Sequence, residues 1–143
     1  MWLTLQKRRP KAAQKQSQFR AQGRKGSWPY CAPTIAAFRQ GEEWRCQMLR
    51  YVEENILFVK DYCRTHLPAI KPLRPQASFL VWLDCRELGF DHDALIDFFV
   101  NRARLALNDG EMFGPGGSGF MRLNVGTPRA LLHQALLKIQ QAL

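Results

Sequence analysis

With 143 residues, 46% of them hydrophobic, the chain has the length and apolar content for one domain with one core, or for one half of something larger. Its formal charge is +9, but Lys7, Arg8, Arg9, Lys11, Lys15, Arg20, Arg24 and Lys25 all fall in residues 1–33, where there is no acid, and the remaining 13 basic residues face 12 acidic ones. The basic character therefore belongs to the leader, and nucleic acid is disfavoured as a partner of the rest. No apolar run approaches the roughly 20 residues that span a bilayer, which excludes a membrane span and favours a cytoplasmic protein. Cys31, Cys46, Cys63 and Cys85 form no CxxC pair, which argues for reduced thiols and against a zinc ribbon or a redox motif.

Residues 1–33, rich in Lys, Arg and Gln, lack hydrophobic periodicity and are expected to be a disordered basic arm. From Ala36 the texture changes. Met48, Leu49, Tyr51, Val52, Ile56, Phe58, Val59, Tyr62 and Cys63 recur at helical spacing and predict one amphipathic helix from about Glu42 to His66. Leu67-Pro68 ends it, because a residue before proline is pushed out of helical dihedrals. Pro72 and Pro75 predict an extended connection.

Phe79-Leu-Val-Trp-Leu83 predicts a buried strand closed by Asp84. Asp91-His92-Asp93 predicts the start of a helix whose apolar face is Leu95, Phe98, Phe99, Ala103 and Ala106. A short strand is expected over Leu105 to Leu107, then a glycine-rich loop over Gly114 to Gly119. Phe120 to Val125 alternates, with Met121, Leu123 and Val125 on one face and Phe120, Arg122 and Asn124 on the other. Thr127 is the expected N-cap and Pro128 the first position of a last helix, with Leu131, Leu132, Ala135, Leu136 and Ile139 facing inward. The order describes a small α+β layer pair.

Few residues stand out as chemistry. The loop Gly114-Pro-Gly-Gly-Ser-Gly119 lacks the GK[ST] ending of a phosphate loop and precedes a strand. His66, His92 and His133 are far apart in the chain and show no metal-ligand spacing, so no catalytic or metal residue is assigned. Arg122 differs: a planar guanidinium on the polar face of a strand, beside Asn124, suits a carboxylate held by two parallel hydrogen bonds. The competing reading is an internal salt bridge from Arg122 to Asp84 or Glu111.

Thr34-Ile-Ala-Ala-Phe-Arg-Gln-Gly-Glu-Glu-Trp44, Tyr51-Val-Glu-Glu-Asn-Ile56, Ser78-Phe-Leu-Val-Trp-Leu-Asp84, Asn108-Asp-Gly-Glu-Met-Phe-Gly114 and Gly119-Phe-Met-Arg-Leu-Asn-Val-Gly-Thr-Pro-Arg129 occur in one order over about three quarters of the chain. In them, residues 34–143 resemble the C-terminal part of the pyridoxal-phosphate (PLP) dependent class I and II aminotransferase family, nearest the cystathionine β-lyase-like carbon-sulfur lyases. The small departure of Ala77, where the family often has glycine, does not break the pattern.

The resemblance implies the small, C-terminal domain of a fold-type I PLP enzyme: a long interdomain helix, then a small sheet covered by helices. It places the family's substrate-carboxylate arginine on Arg122 and implies an amino-acid substrate, with β-elimination of cystathionine or a cysteine conjugate to a thiol, pyruvate and ammonia. It also implies that the catalytic lysine and most cofactor contacts lie in a large domain that would precede residue 34 and is absent, since Lys60, Lys71 and Lys138 match no lysine motif. On this reading PLP belongs to the intact family, is not held covalently by this chain alone, and the chain is an inactive fragment. An aminotransferase fragment, or a non-catalytic binding module with a basic N-terminal arm, are the alternatives. A homodimer or a complementing large-domain chain are the partners left open.

Overall fold

A computed structural model describes residues 31–143. The arm expected over 1–33 lies outside them, except for Cys31 to Pro33, which open a helix. That helix, α1 (Cys31–Gln40), belongs to a unit ending at Glu42, and Glu43–Leu143 form a second, compact unit. At the α1 boundary a Cβ on Gly41 would lie 2.4 Å from the carbonyl oxygen of Ala37.

The second unit is dominated by α2 (Glu42–His66), which has the predicted bounds. Val52, Ile56, Val59, Tyr62 and Cys63 form its buried stripe, whereas Leu49 and Tyr51 turn outward. There follow β1 (Lys71–Leu73), β2 (Leu80–Asp84), α3 (His92–Asp97), β3 (Asn108–Asp109), β4 (Phe120–Asn124) and α4 (Arg129–Ala142). The strands form one antiparallel sheet in the order β1-β2-β4-β3. Val81, Leu83, Met121 and Leu123 bury one face of it in a core shared with α2, α3 and α4. This is the two-layer α+β arrangement expected, with α2, α3 and α4 packed on one face of the sheet.

Several local expectations are corrected. The segment read as a proline-held connection contributes β1, because Pro72 sits on an edge strand, where a missing N–H is tolerated. The strand expected at Leu105 to Leu107 forms instead at Asn108–Asp109, opposite Arg122 and Met121. α3 runs on as a single π-turn over Phe98–Arg102, so the turn per residue changes: Phe98, Phe99 and Ala103 stay buried while Ala106 is exposed. Thr127 does not cap α4. Pro128 occupies the N-cap without a side-chain bond, and Leu131 faces solvent while Leu132, Leu136 and Ile139 are buried. Asp91 does cap α3, its Oδ1 accepting from the Ala94 N–H at 2.8 Å.

α2 and the exit of β4 are joined by polar groups inside the core. The Asn55 side chain is fully buried, and its Nδ2 donates to the carbonyls of Val125 (2.8 Å) and Thr127 (3.0 Å). Further along, the Tyr62 hydroxyl donates to Oε1 of Gln140 at 2.6 Å.

Candidate functional site

The sheet face opposite the core carries the candidate site. Antiparallel pairing sets Leu73 opposite Trp82, Trp82 opposite Arg122 and Arg122 opposite Asn108, so these four side chains form one row across all four strands. Arg122 is the charge in that row. The alternation that buries Met121 and Leu123 necessarily turns Arg122 to the open face.

Two contacts hold its guanidinium. Nη2 donates to Asn108 Oδ1 at 3.2 Å, and the guanidinium carbon lies 4.1 Å from the ring centroid of Phe113. Phe113 meets Trp82 edge-on, with centroids 5.4 Å apart. Nε is buried and has no hydrogen-bond partner. Among the described residues Arg122 forms no ion pair. The acids named as rivals are engaged elsewhere: Asp84 receives Arg86 Nε at 2.9 Å and Nη2 at 2.7 Å, and Glu111 approaches His92. The hydrogen bonds from Arg86 hold the Asp84 carboxyl below its usual range, against the opposing effect of burial.

Phe113 is presented by a short 3₁₀ turn over Gly110–Phe113, opened by Asp109, whose side chain accepts from the Glu111 N–H at 3.0 Å. The following Gly114 has φ +126°, a conformation that side chains disfavour. Gly110 and Gly117 then pass backbone to backbone, and a Cβ on Gly117 would lie 1.9 Å from the Gly110 carbonyl oxygen. The glycine-rich segment is thus a tightly folded platform for Phe113.

The histidines separate into two settings. His92 lies with Nε2 3.5 Å from Asp109 and Nδ1 3.3 Å from Glu111, near enough to pair when charged, though Nδ1 has no well-aligned hydrogen bond. It faces acids that lie well beyond local sequence spacing. His66 and His133, far apart in the chain, both pack on the Tyr62 ring, at 4.6 and 5.7 Å. Among the described residues no group of three or more His, Cys, Asp or Glu could hold a metal ion. Cys63 and Cys85 are buried free thiols, and burial pushes both up to about 12. Among the described residues no helix is long and apolar enough to cross a membrane.

Two residues of the region escaped sequence reasoning. Phe113 carried no signal, because its stacking on Arg122 depends on the loop path. Asn55 carried one: it is a polar residue in the buried stripe, three positions after Val52 and four before Val59.

No family model matches the chain. It is 36% identical over 108 residues to the cystathionine beta-lyase PatB of Bacillus subtilis, a match covering 76% of this chain and 28% of that protein. Over 112 residues it is 27% identical to an aspartate aminotransferase of Pyrococcus horikoshii. Cystalysin of Treponema denticola, whose crystal structure contains PLP, superposes with a TM-score of 0.71 at 28% identity, over 74% of this chain and 27% of that one. The PLP-bound C–S lyase of Staphylococcus hominis superposes with a TM-score of 0.67 at 29% identity, over 75% of this chain and 29% of that one. The chain thus spans less than a third of the length of the relatives it matches.

The described residues can be compared with what PLP requires, an amine to hold it and groups for its phosphate. Lys71, on the same sheet face as Arg122, is paired with Glu87, and Lys60 and Lys138 are exposed on α2 and α4. Among the described residues, then, no unpaired lysine stands on the sheet face that carries Arg122. Arg122 stands on β4 opposite Trp82, with Asn108 as its hydrogen-bond partner. Over about three quarters of its length the chain is thus similar in sequence and fold to the small-domain part of PLP-dependent cystathionine β-lyases, C–S lyases and aminotransferases.

Proposed function

We propose that this chain supplies the carboxylate-binding small domain of a PLP-dependent carbon-sulfur β-lyase, with Arg122 gripping the α-carboxylate of an amino-acid substrate such as cystathionine or a cysteine conjugate. The observation that carries the proposal is a guanidinium on the open sheet face, stacked and hydrogen-bonded but without an ion pair among the described residues. A guanidinium held in place with its charge unpaired is suited to donate two parallel hydrogen bonds to an incoming carboxylate.

PLP, when bound in such enzymes, supplies the electron sink for cleavage next to the amino group. This chain's part is orientation. Arg122 fixes the carboxylate and so fixes the substrate's Cα, and Asn108 keeps the fork from turning. Arginine binding of the carboxylate is equally compatible with an aminotransferase, but the higher identity to a lyase, 36% against 27%, favours β-elimination.

The test is a chimaera in which residues 34–143 replace the matched segment of the Bacillus subtilis relative. Pyruvate release from L-cystathionine or an S-alkyl cysteine is expected. Arg122→Ala in that chimaera should lower kcat/KM by about a hundredfold or more while leaving cofactor absorbance in place. Unchanged kcat/KM would remove the assigned role of Arg122. Keto-acid formation from an amino donor without pyruvate would replace the lyase with an aminotransferase.

A further inference from the structure

The surroundings of Arg122 are more selective than its charge. The Phe113 ring lies over the guanidinium and touches Trp82 at its edge. Leu73, 48% exposed, continues the row beyond Trp82. Met112, 72% exposed, precedes Phe113 on the same turn. The two cations brought to the neighbouring row are both engaged, Lys71 by Glu87 and Arg86 by Asp84.

An aromatic face carries negative partial charge. It attracts the guanidinium stacked beneath it and repels a carboxylate, so an incoming carboxylate is confined to the in-plane edge of the fork. The part of the ligand next to that carboxylate must then lie against Phe113 and Trp82. A second carboxylate placed there would lose water, while the two cations of the neighbouring row are already paired with acids, which is costly.

We propose that Phe113 selects what Arg122 holds: a monocarboxylate whose adjoining chain is apolar or a thioether, in preference to a dicarboxylate. This rests on the carboxylate role given to Arg122 above. On the lyase reading it favours S-alkyl and S-aryl cysteines over cystathionine, whose homocysteine end bears a second carboxylate and which would be the slower of the substrates named above. Phe113 acts through Arg122 and the adjoining wall, and is a positioning and selecting residue.

The experiment uses the full chain labelled with nitrogen-15 at arginine, following the Arg122 Nε–H resonance, assigned by its loss in Arg122→Lys. Pentanoate and glutarate, of equal chain length, are titrated at constant ionic strength. Pentanoate is expected to bind at least about tenfold more tightly than glutarate. In Phe113→Ala that ratio is expected to fall towards one. Phe113→Leu keeps the apolar volume and removes the π face, and serves if the alanine variant does not fold; it is expected to lower the ratio.

Equal affinities in the wild type, or a ratio unchanged in both Phe113 variants, would overturn selection by Phe113 while leaving the carboxylate role of Arg122 standing. A resonance that neither ligand moves would overturn that role, and with it the selection.

Discussion

The guanidinium of Arg129 reaches the carboxamide of Asn55 across 74 positions of chain, Nε donating to Oδ1 at 2.6 Å. With Nδ2 bound to the carbonyls of Val125 and Thr127, every polar atom of this fully buried side chain is used. The backbone N–H of Arg129 donates to the Tyr51 hydroxyl at 2.6 Å, and its guanidinium lies 3.6 Å from Glu54. One turn and a half of α2 therefore fixes the link from β4 to α4.

Replacing Asn55 by Ala would leave two carbonyls and the Arg129 Nε–H without their partner. Such a loss costs about 2–4 kcal/mol, because buried groups forfeit water as well as each other. Asn55→Asp is expected to fall in the same range, since a carboxylate accepts from Arg129 but cannot donate to the carbonyls. Urea unfolding followed by circular dichroism would read both.

Arg122 should behave in the opposite way. Its Nε is buried without a partner, and no ion pair among the described residues is lost with it. Arg122→Leu is therefore expected to unfold at an equal or higher urea concentration, with a gain of up to about 1 kcal/mol, while abolishing the carboxylate-induced shifts described above. A loss of several kcal/mol would show that Arg122 is structural.

The buried thiols give a pH dependence with a definite sign. Burial raises Cys63 and Cys85 from an ordinary 9.0 to about 12 in the folded chain, so between these values the folded state holds protons that the unfolded state has released. Their contribution to stability is complete below pH 9 and lost as pH rises towards 12. The urea midpoint should fall over that interval, and less steeply in Cys63→Ala. In the folded chain Cys63 and Cys85 should be protected from a thiol reagent until unfolding.

Gly117→Ala tests the platform under Phe113. The added methyl would lie 1.9 Å from the Gly110 carbonyl oxygen and 2.9 Å from the Glu111 nitrogen, both backbone atoms that cannot step aside alone. A cost of about 1–3 kcal/mol is expected. The Arg122 Nε–H resonance should move as well, since the ring over it is carried by the same turn. A stable variant with that resonance unmoved would separate the loop from the site.

How much of this was legible in the sequence depended on how local each cause is. The bounds of α2 follow from an apolar stripe and from Leu67-Pro68, and those signals lie within the helix itself. Arg122 stood out because strand alternation is also local. β1 was illegible, since three residues around Pro72 become a strand only through pairing with β2. β3 was misplaced for a similar reason: its two residues are selected by Arg122 and Met121 across the sheet, not by their own pattern. Leu131 and Ala106 were assigned inward by spacing alone, and a shifted helix start and a π-turn moved them out. The ring over Arg122 depends on a glycine-built path that no periodicity describes.

Side chains on a strand change faces with every residue, so β4 displaced by a single position would carry Arg122 into the core and turn Met121 and Leu123 out to solvent. β3 pairs with it through only two residues and offers little resistance to such a slip. The Asn55 carboxamide meets the carbonyls of Val125 and Thr127 in one alignment only, and so serves the sheet as an index pin serves a shaft, setting which residues look outward before any ligand arrives.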